Sequence, residues 1–165
     1  MTKAQKRVAI AKDVIKQIAA RNFRPKGGIY VSLAKPEAGM GDYETTADKA
    51  FFNARKRKPC VVCAKGAMVC STIRLFNKFS DSIAALEPSV ENVLRRNFGK
   101  RMGDMIECAF EQWDFDGYDG HENNHILGKD AVNRSYAFGL KYRSNTKRII
   151  AIMRNIIANK GTFKP

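Results

Sequence analysis

Apolar residues recur at helical spacing near the C-terminus, where Ile149, Ile152, Met153, Ile156 and Ile157 lie three and four positions apart. A helix gathers these side chains on one arc, whereas a strand would divide them between two faces. Ser144, Asn145 and Thr146 supply capping side chains before the run, and Gly161 closes it. Arg148, Arg154 and Asn155 fall opposite the arc and are expected in solvent. Residues 2–22 repeat the pattern with Val8, Ala11, Ile15, Ile18 and Ala19, flanked by Lys6, Lys12, Lys16 and Arg21. Thr2 caps that helix, and Pro25 with Gly27 and Gly28 ends it. Two amphipathic helices at opposite ends of the chain each need a core to bury their stripes, which points to a mainly helical fold.

Between them the signals alternate. Ile29 to Leu33 is β-branched and aromatic after a glycine turn, and reads as a short strand. Residues 34–46 carry turn formers without periodicity and read as a loop. A short helix is expected over 47–58, stopped by Pro59. The run 60–79 reads either as a buried strand leading into a helix or as one apolar helix. A further helix starts at Pro88 and Ser89 and ends at Gly99. Another spans Met102 to Trp113, with Met105, Ile106, Ala109, Phe110 and Trp113 on one face. Residues 114–130 form a loop rich in glycine and acids, and residues 131–142 fit either a strand pair or a helix with Gly139 inside it. With 44% apolar and 10% aromatic residues there is material for a core. The expectation is a mainly α (α+β) fold, a single compact domain over 1–165. It has five or six helices and a minor β element built from Ile29–Leu33 and residues 60–63 or 131–142.

Charge is sorted along the chain. Residues 1–30 hold eight Lys or Arg against one acid, residues 101–130 hold eight acids against two bases, and residues 131–165 hold eight bases and no acid. The total is +14 in 165 residues, a surface that attracts polyanions and repels its own copies. The basic start MTKAQKRVAIAKD lacks the apolar stretch and cleavage site of a secretory signal, and no window is apolar enough to span a bilayer. A cytoplasmic location without membrane contact is expected, with Cys60, Cys63, Cys70 and Cys108 reduced.

Candidate sites follow from these patterns. Arg55, Lys56, Arg57 and Lys58 form the densest basic run, and Lys3, Lys6, Arg7, Lys12, Arg143, Lys147, Arg148 and Arg154 extend it, with Arg143, Lys147 and Arg148 expected to join the run in phosphate contacts. Such side chains neutralise phosphates and release counterions, and the aromatics close to bases in sequence, Phe23, Tyr30, Phe51, Phe52, Tyr136 and Tyr142, are candidates to stack on unpaired bases. No zinc-finger, RNP1 or GXXG pattern refines that signal. Cys60 and Cys63, with His121 and His125, have spacings that chelate zinc in pairs, but only tertiary folding would unite the two halves. The competing reading is small cysteines packed in a core. The acids from Asp114 to Glu122 fail the EF-hand pattern in either frame, leaving only an irregular divalent-cation site there. A thiol enzyme would set Cys63 at a helix start with His121 or His125 as base. No Gly-Lys-Ser/Thr follows the glycine pairs, so nothing supports a nucleotide triphosphatase.

Four stretches, IAKDVIKQI, GIYV, CVVCAKGAM and RIIAIMRNIIANKGTF, resemble a family of small phage, prophage and bacterial proteins. That family combines a helix, a short Gly-aromatic strand, a Cys-Ala-x-Gly-Ala segment opening a helix and a C-terminal amphipathic helix. Here the segment is Cys63-Ala64-Lys65-Gly66-Ala67. The resemblance implies a phage or prophage origin, and hence a host cytoplasm, but no activity and no catalytic residue. The expected function is non-enzymatic binding, with the basic surface on nucleic acid or a nucleic-acid-containing complex and no cofactor. The alternatives are an anti-defence inhibitor, anti-CRISPR-like, of a host protein, and a metal- or thiol-dependent enzyme. A homodimer joined through the oppositely charged blocks is a further candidate assembly.

Overall fold

The computed structural model describes residues 1–33, 59–76, 94–116 and 127–165. Within them lie five helices of twelve or more residues: α1 (Lys3–Ala19), α2 (Ala64–Phe76), α3 (Lys100–Glu111), α4 (Lys129–Leu140) and α5 (Asn145–Ala158). A short helical turn covers residues 94–98. Three short strands, β1 (Phe23–Pro25), β2 (Val31–Leu33) and β3 (Cys60–Val62), form one sheet in the order β1-β3-β2. The fold is mainly α with a minor β element, as expected.

Local chemistry accounts for the boundaries. Thr2 and Gln5 form a reciprocal capping box at the start of α1, satisfying two of the donors that a helix start leaves free. Ser144 caps α5 with a single bond, accepting from the Lys147 amide at 3.2 Å. The run 60–76 takes the first of its two readings, strand then helix. Cys63 joins them, its sulfur accepting from the Gly66 amide at 3.4 Å where a cap oxygen usually sits. Residues 131–142 do not enter the sheet; α4 takes most of them. The third strand is β1, which runs parallel to β3 while β2 runs antiparallel. From sequence these residues only follow the 2–22 helix, with Pro25 as part of its stop. Pro25 lacks an amide proton and is tolerated because β1 is an edge strand.

One apolar cluster joins all these elements. Ile10, Val14 and Ile18 of α1, Met68 and Val69 of α2, Ile106 and Phe110 of α3, and Ile149, Ile152, Met153 and Ile156 of α5 meet there. Cys60, Cys63 and Cys70 lie in the same cluster, while Cys108 joins a smaller one with Leu127, Ala131 and Val132. Buried ion pairs fix the helices against each other. Arg74 of α2 pairs with Asp13 of α1, and Lys65 of α2 pairs with Asp104, at 3.9 Å, and with Glu107, both on α3. Breaking such pairs is costly because the remaining charge stays buried.

The glycine of the Cys-Ala-Lys-Gly-Ala segment has a packing reason. A methyl group on Gly66 would collide with the carbonyl of Tyr30 and lie 2.9 Å from Val31 Cγ2, so α2 lies directly on the backbone at the start of β2. Cys63 donates its own amide to that same Tyr30 carbonyl at 3.2 Å.

Candidate nucleic-acid interface

The 131–165 segment, which has no acid, folds back on itself. α4 ends at Leu140, residues 141–144 turn, and α5 returns. Phe138 and Tyr142 are four positions apart and meet as a tilted ring pair with centroids 5.5 Å apart. Phe163 closes on Phe138 edge to face at 5.3 Å, a favoured aromatic geometry. The C-terminal residues are held there by Asn155. Its amide nitrogen donates to the Lys164 carbonyl at 2.7 Å, and its oxygen accepts from the Lys164 amide at 2.8 Å.

These contacts shape an open groove of about 650 Å³ along α5, lined by Phe138, Tyr142, Lys147, Ile150, Ala151, Arg154, Asn155 and Ala158. The floor is apolar, and the ionic groups of the lining are Lys147 and Arg154, both exposed. They stand seven residues apart on α5, about 10 Å along its axis. Lys141 lies 5.8 Å from the centroid of the Phe138 ring, and Arg143 is exposed in the turn. A smaller hollow, about 310 Å³, is lined by Ile18, Arg21, Phe23, Arg24, Pro25 and Thr146. Thr146 directly precedes Lys147, so the two depressions flank the first turn of α5.

The candidate basic residues have different fates. Lys147 lines the groove and Arg143 is exposed beside it. Arg148 is not on a solvent face, which corrects the expectation. It is 5% exposed, and its guanidinium donates to the carbonyls of Phe110 (2.7 Å), Tyr142 (3.1 Å) and Gly139 (3.3 Å) and to Asn145 Oδ1 (3.0 Å). Burial lowers its pKa, with Glu111 opposing. Its donors point into the protein, so it is unavailable to a phosphate. Arg55, Lys56, Arg57 and Lys58 lie outside the described residues, as do the 34–46 loop, the helix expected over 47–58 and residues 88–93 of the helix before Gly99. Phe138 and Arg154 complete the groove. Arg154 is among the basic residues that the sequence offers for this surface, whereas Phe138 is not legible there, because the sequence does not fix the helical register that aligns it with Tyr142.

The candidate zinc ligands Cys60 and Cys63 are both buried, and His121 and His125 lie outside the described residues. Among the described residues no cluster of three or more His, Cys, Asp or Glu side chains is arranged to hold a metal. Cys63 does sit at a helix start, but burial outweighs the amide contact and pushes its thiol up to about 12. Burial also pushes Cys108 up to about 12, helped by Glu107 and Asp104, and raises Cys70. Thiolate is the reactive species. Native protein at mildly alkaline pH is therefore expected to resist iodoacetamide at Cys63, Cys70 and Cys108 over minutes, and at Cys60 because it is buried, while denatured protein reacts at all four. Rapid native alkylation of Cys63, read by peptide mass, would contradict this.

The acids of residues 101–130 are partly engaged inside the chain. Besides Asp104 and Glu107 on Lys65, Glu111 accepts from the Gly28 amide at 2.9 Å, and burial raises its pKa. Asp114 and Asp116 are exposed, and residues 117–126 lie outside the described residues. Among the described residues no helix is long and apolar enough to cross a membrane. Compared with known proteins, the chain matches no family model, no curated protein sequence and no solved structure.

Proposed function

We propose that this is a non-enzymatic binding protein whose α4–α5 groove receives nucleic acid, alone or within a larger complex. One observation carries the reading. An apolar groove with aromatic side chains has, among the described residues, Lys147 and Arg154 as its only ionic lining, in a segment of eight bases and no acid. A polyanion gains at the exposed cations of this segment, though not at buried Arg148, and meets no Asp or Glu side chain from it. Phosphate contacts of this kind release counterions and give strongly salt-dependent affinity. Lys147, Arg154 and Arg143 would carry those contacts, with Arg55, Lys56, Arg57 and Lys58 as further candidates. A phage origin is part of the proposal and rests on the sequence resemblance alone.

The test is a salt titration of binding to mixed-sequence nucleic acid. The Lys147→Gln/Arg154→Gln double variant is expected to bind at least about tenfold more weakly at low salt. Its log–log salt slope should be shallower by about 1.4 to 1.8, the loss of two phosphate contacts. An unchanged slope would remove the groove from the interface. Capture of one host protein that survives nuclease, with binding insensitive to both substitutions, would favour the inhibitor reading instead.

A further inference from the structure

We propose that the groove selects an unpaired strand over a duplex, with Tyr142 as the platform on which a base stacks. The inference rests on the nucleic-acid reading above and goes beyond it by naming the form of the ligand. In a duplex the base faces are stacked on one another, so the protein meets phosphates, sugars and groove edges. An apolar floor of Ile150, Ala151 and Ala158 offers such a ligand little and would be dehydrated for little return. An unpaired base has a free aromatic face, which gains both from apolar burial and from stacking.

The groove has the parts this requires. Its volume of about 650 Å³ falls in the range of small-ligand clefts, enough for a base with its sugar. Tyr142 is partly exposed and lines the groove, and its neighbour Phe138 is braced from the other side by Phe163. The platform is thus set before binding, which lowers the ordering cost. Lys147 and Arg154 stand two helical turns apart on the same wall, placed to meet different phosphates of one strand. An acidic peptide would satisfy the same cations without needing a planar ring, and this difference makes the two ligands separable.

The experiment compares a labelled oligothymidylate with the same strand paired to oligoadenylate, by anisotropy at matched salt. The full chain is used, alongside Tyr142→Leu, Tyr142→Phe and Lys147→Gln/Arg154→Gln. Circular dichroism melting confirms that each variant folds. The unpaired strand is expected to bind at least about tenfold more tightly than the duplex. Tyr142→Leu should lose about 5- to 150-fold on the unpaired strand, with duplex affinity and both salt slopes unchanged, and Tyr142→Phe should retain the preference. Equal affinity for the two forms, or a Tyr142→Leu variant that binds like the parent, overturns the inference. The nucleic-acid reading then survives if Lys147→Gln/Arg154→Gln still flattens the slope. Polyglutamate that competes equally well, and equally against Tyr142→Leu, would mean that charge alone is recognised and overturn it as well. If Tyr142→Leu fails to fold, the comparison of single strand with duplex on the parent chain still decides.

Discussion

Replacing Gly139 with alanine is expected to destabilise the protein by about 3 kcal/mol or more, although alanine is the better helix former. Gly139 lies inside α4, where its α-carbon faces the backbone of α3. An added methyl group would overlap the carbonyl oxygen of Ala109, 3.0 Å from its carbonyl carbon and 3.3 Å from its α-carbon. Those atoms are helical backbone and cannot turn aside as a flexible side chain would. The helices must therefore separate, and the Arg148 guanidinium that bonds both the Gly139 and the Phe110 carbonyls loses its fit. For a chain of this length about 3 kcal/mol lowers the melting temperature by roughly 6–12 °C. Gly103, in the first turn of α3, has no atom of the described residues within 4 Å of such a methyl apart from its own helix. Gly103→Ala should therefore stabilise by roughly 0.5–1 kcal/mol through backbone entropy and helix preference. Opposite signs for two helical glycines, in thermal or urea melts, are the expected result. Equal effects would mean that the α3–α4 approach is looser than the structure shows.

The sequence disclosed those parts of this fold that depend on local periodicity. The stripe of α5 is legible because apolar residues every third or fourth position fit only one geometry. In α1 the helix is legible but its buried face is rotated from the expected one, with Ile10, Val14 and Ile18 in the core, Val8 and Ile15 half-buried and Ala19 exposed. Thr2 and Ser144 were legible because their side chains act on amides three residues away. Residues 131–142 were not, since Ala131, Val132, Tyr136 and Phe138 suit a strand as well as a helix. Packing decides there: Gly139, which weakens a helical reading, is the residue that lets α4 approach α3. β1 was hidden because its pairing partner is β3, almost forty residues away, and a three-residue strand has no periodicity of its own.

The candidate site was legible as charge and illegible as shape. The eight bases and no acid of residues 131–165 point to the segment that lines the candidate groove, and Tyr142 is one of six aromatics that stand close to bases in sequence. Which cations reach solvent could not be read from their number. Lys147 and Arg148 are neighbours in sequence, yet the helix turns one outward into the groove and the other inward against three carbonyls. The three-four spacing put Arg148 off the apolar arc. What the spacing lacked was the position of the α3 and α4 C-termini, whose carbonyls attract a buried cation.

That buried cation gives the second large effect. Arg148→Met is expected to cost about 3–5 kcal/mol, the range for losing one partner of a buried charged network. Its donors serve carbonyls at and just beyond the C-terminal ends of α3 and α4, where helix dipoles are negative. Of these, the Gly139 carbonyl also accepts from the Tyr142 amide at 3.1 Å. Methionine fills much of the volume but leaves the Phe110 and Tyr142 carbonyls without this donor. Arg148→Lys keeps the charge, but one ammonium cannot span three carbonyls and the Asn145 oxygen in the plane that the guanidinium fork provides. It should recover less than half of the loss. Lys147→Met, one residue away and exposed, should change stability by less than about 0.5 kcal/mol while weakening nucleic-acid binding. The pair thus separates two roles that composition alone merges. Adjacent cations on one helix turn are expected to differ by several kcal/mol in urea melts and to exchange rank in a binding titration. If Arg148→Met melts like the parent but loses affinity with a flatter salt slope, Arg148 is a phosphate ligand after all and the inward-facing arrangement is wrong.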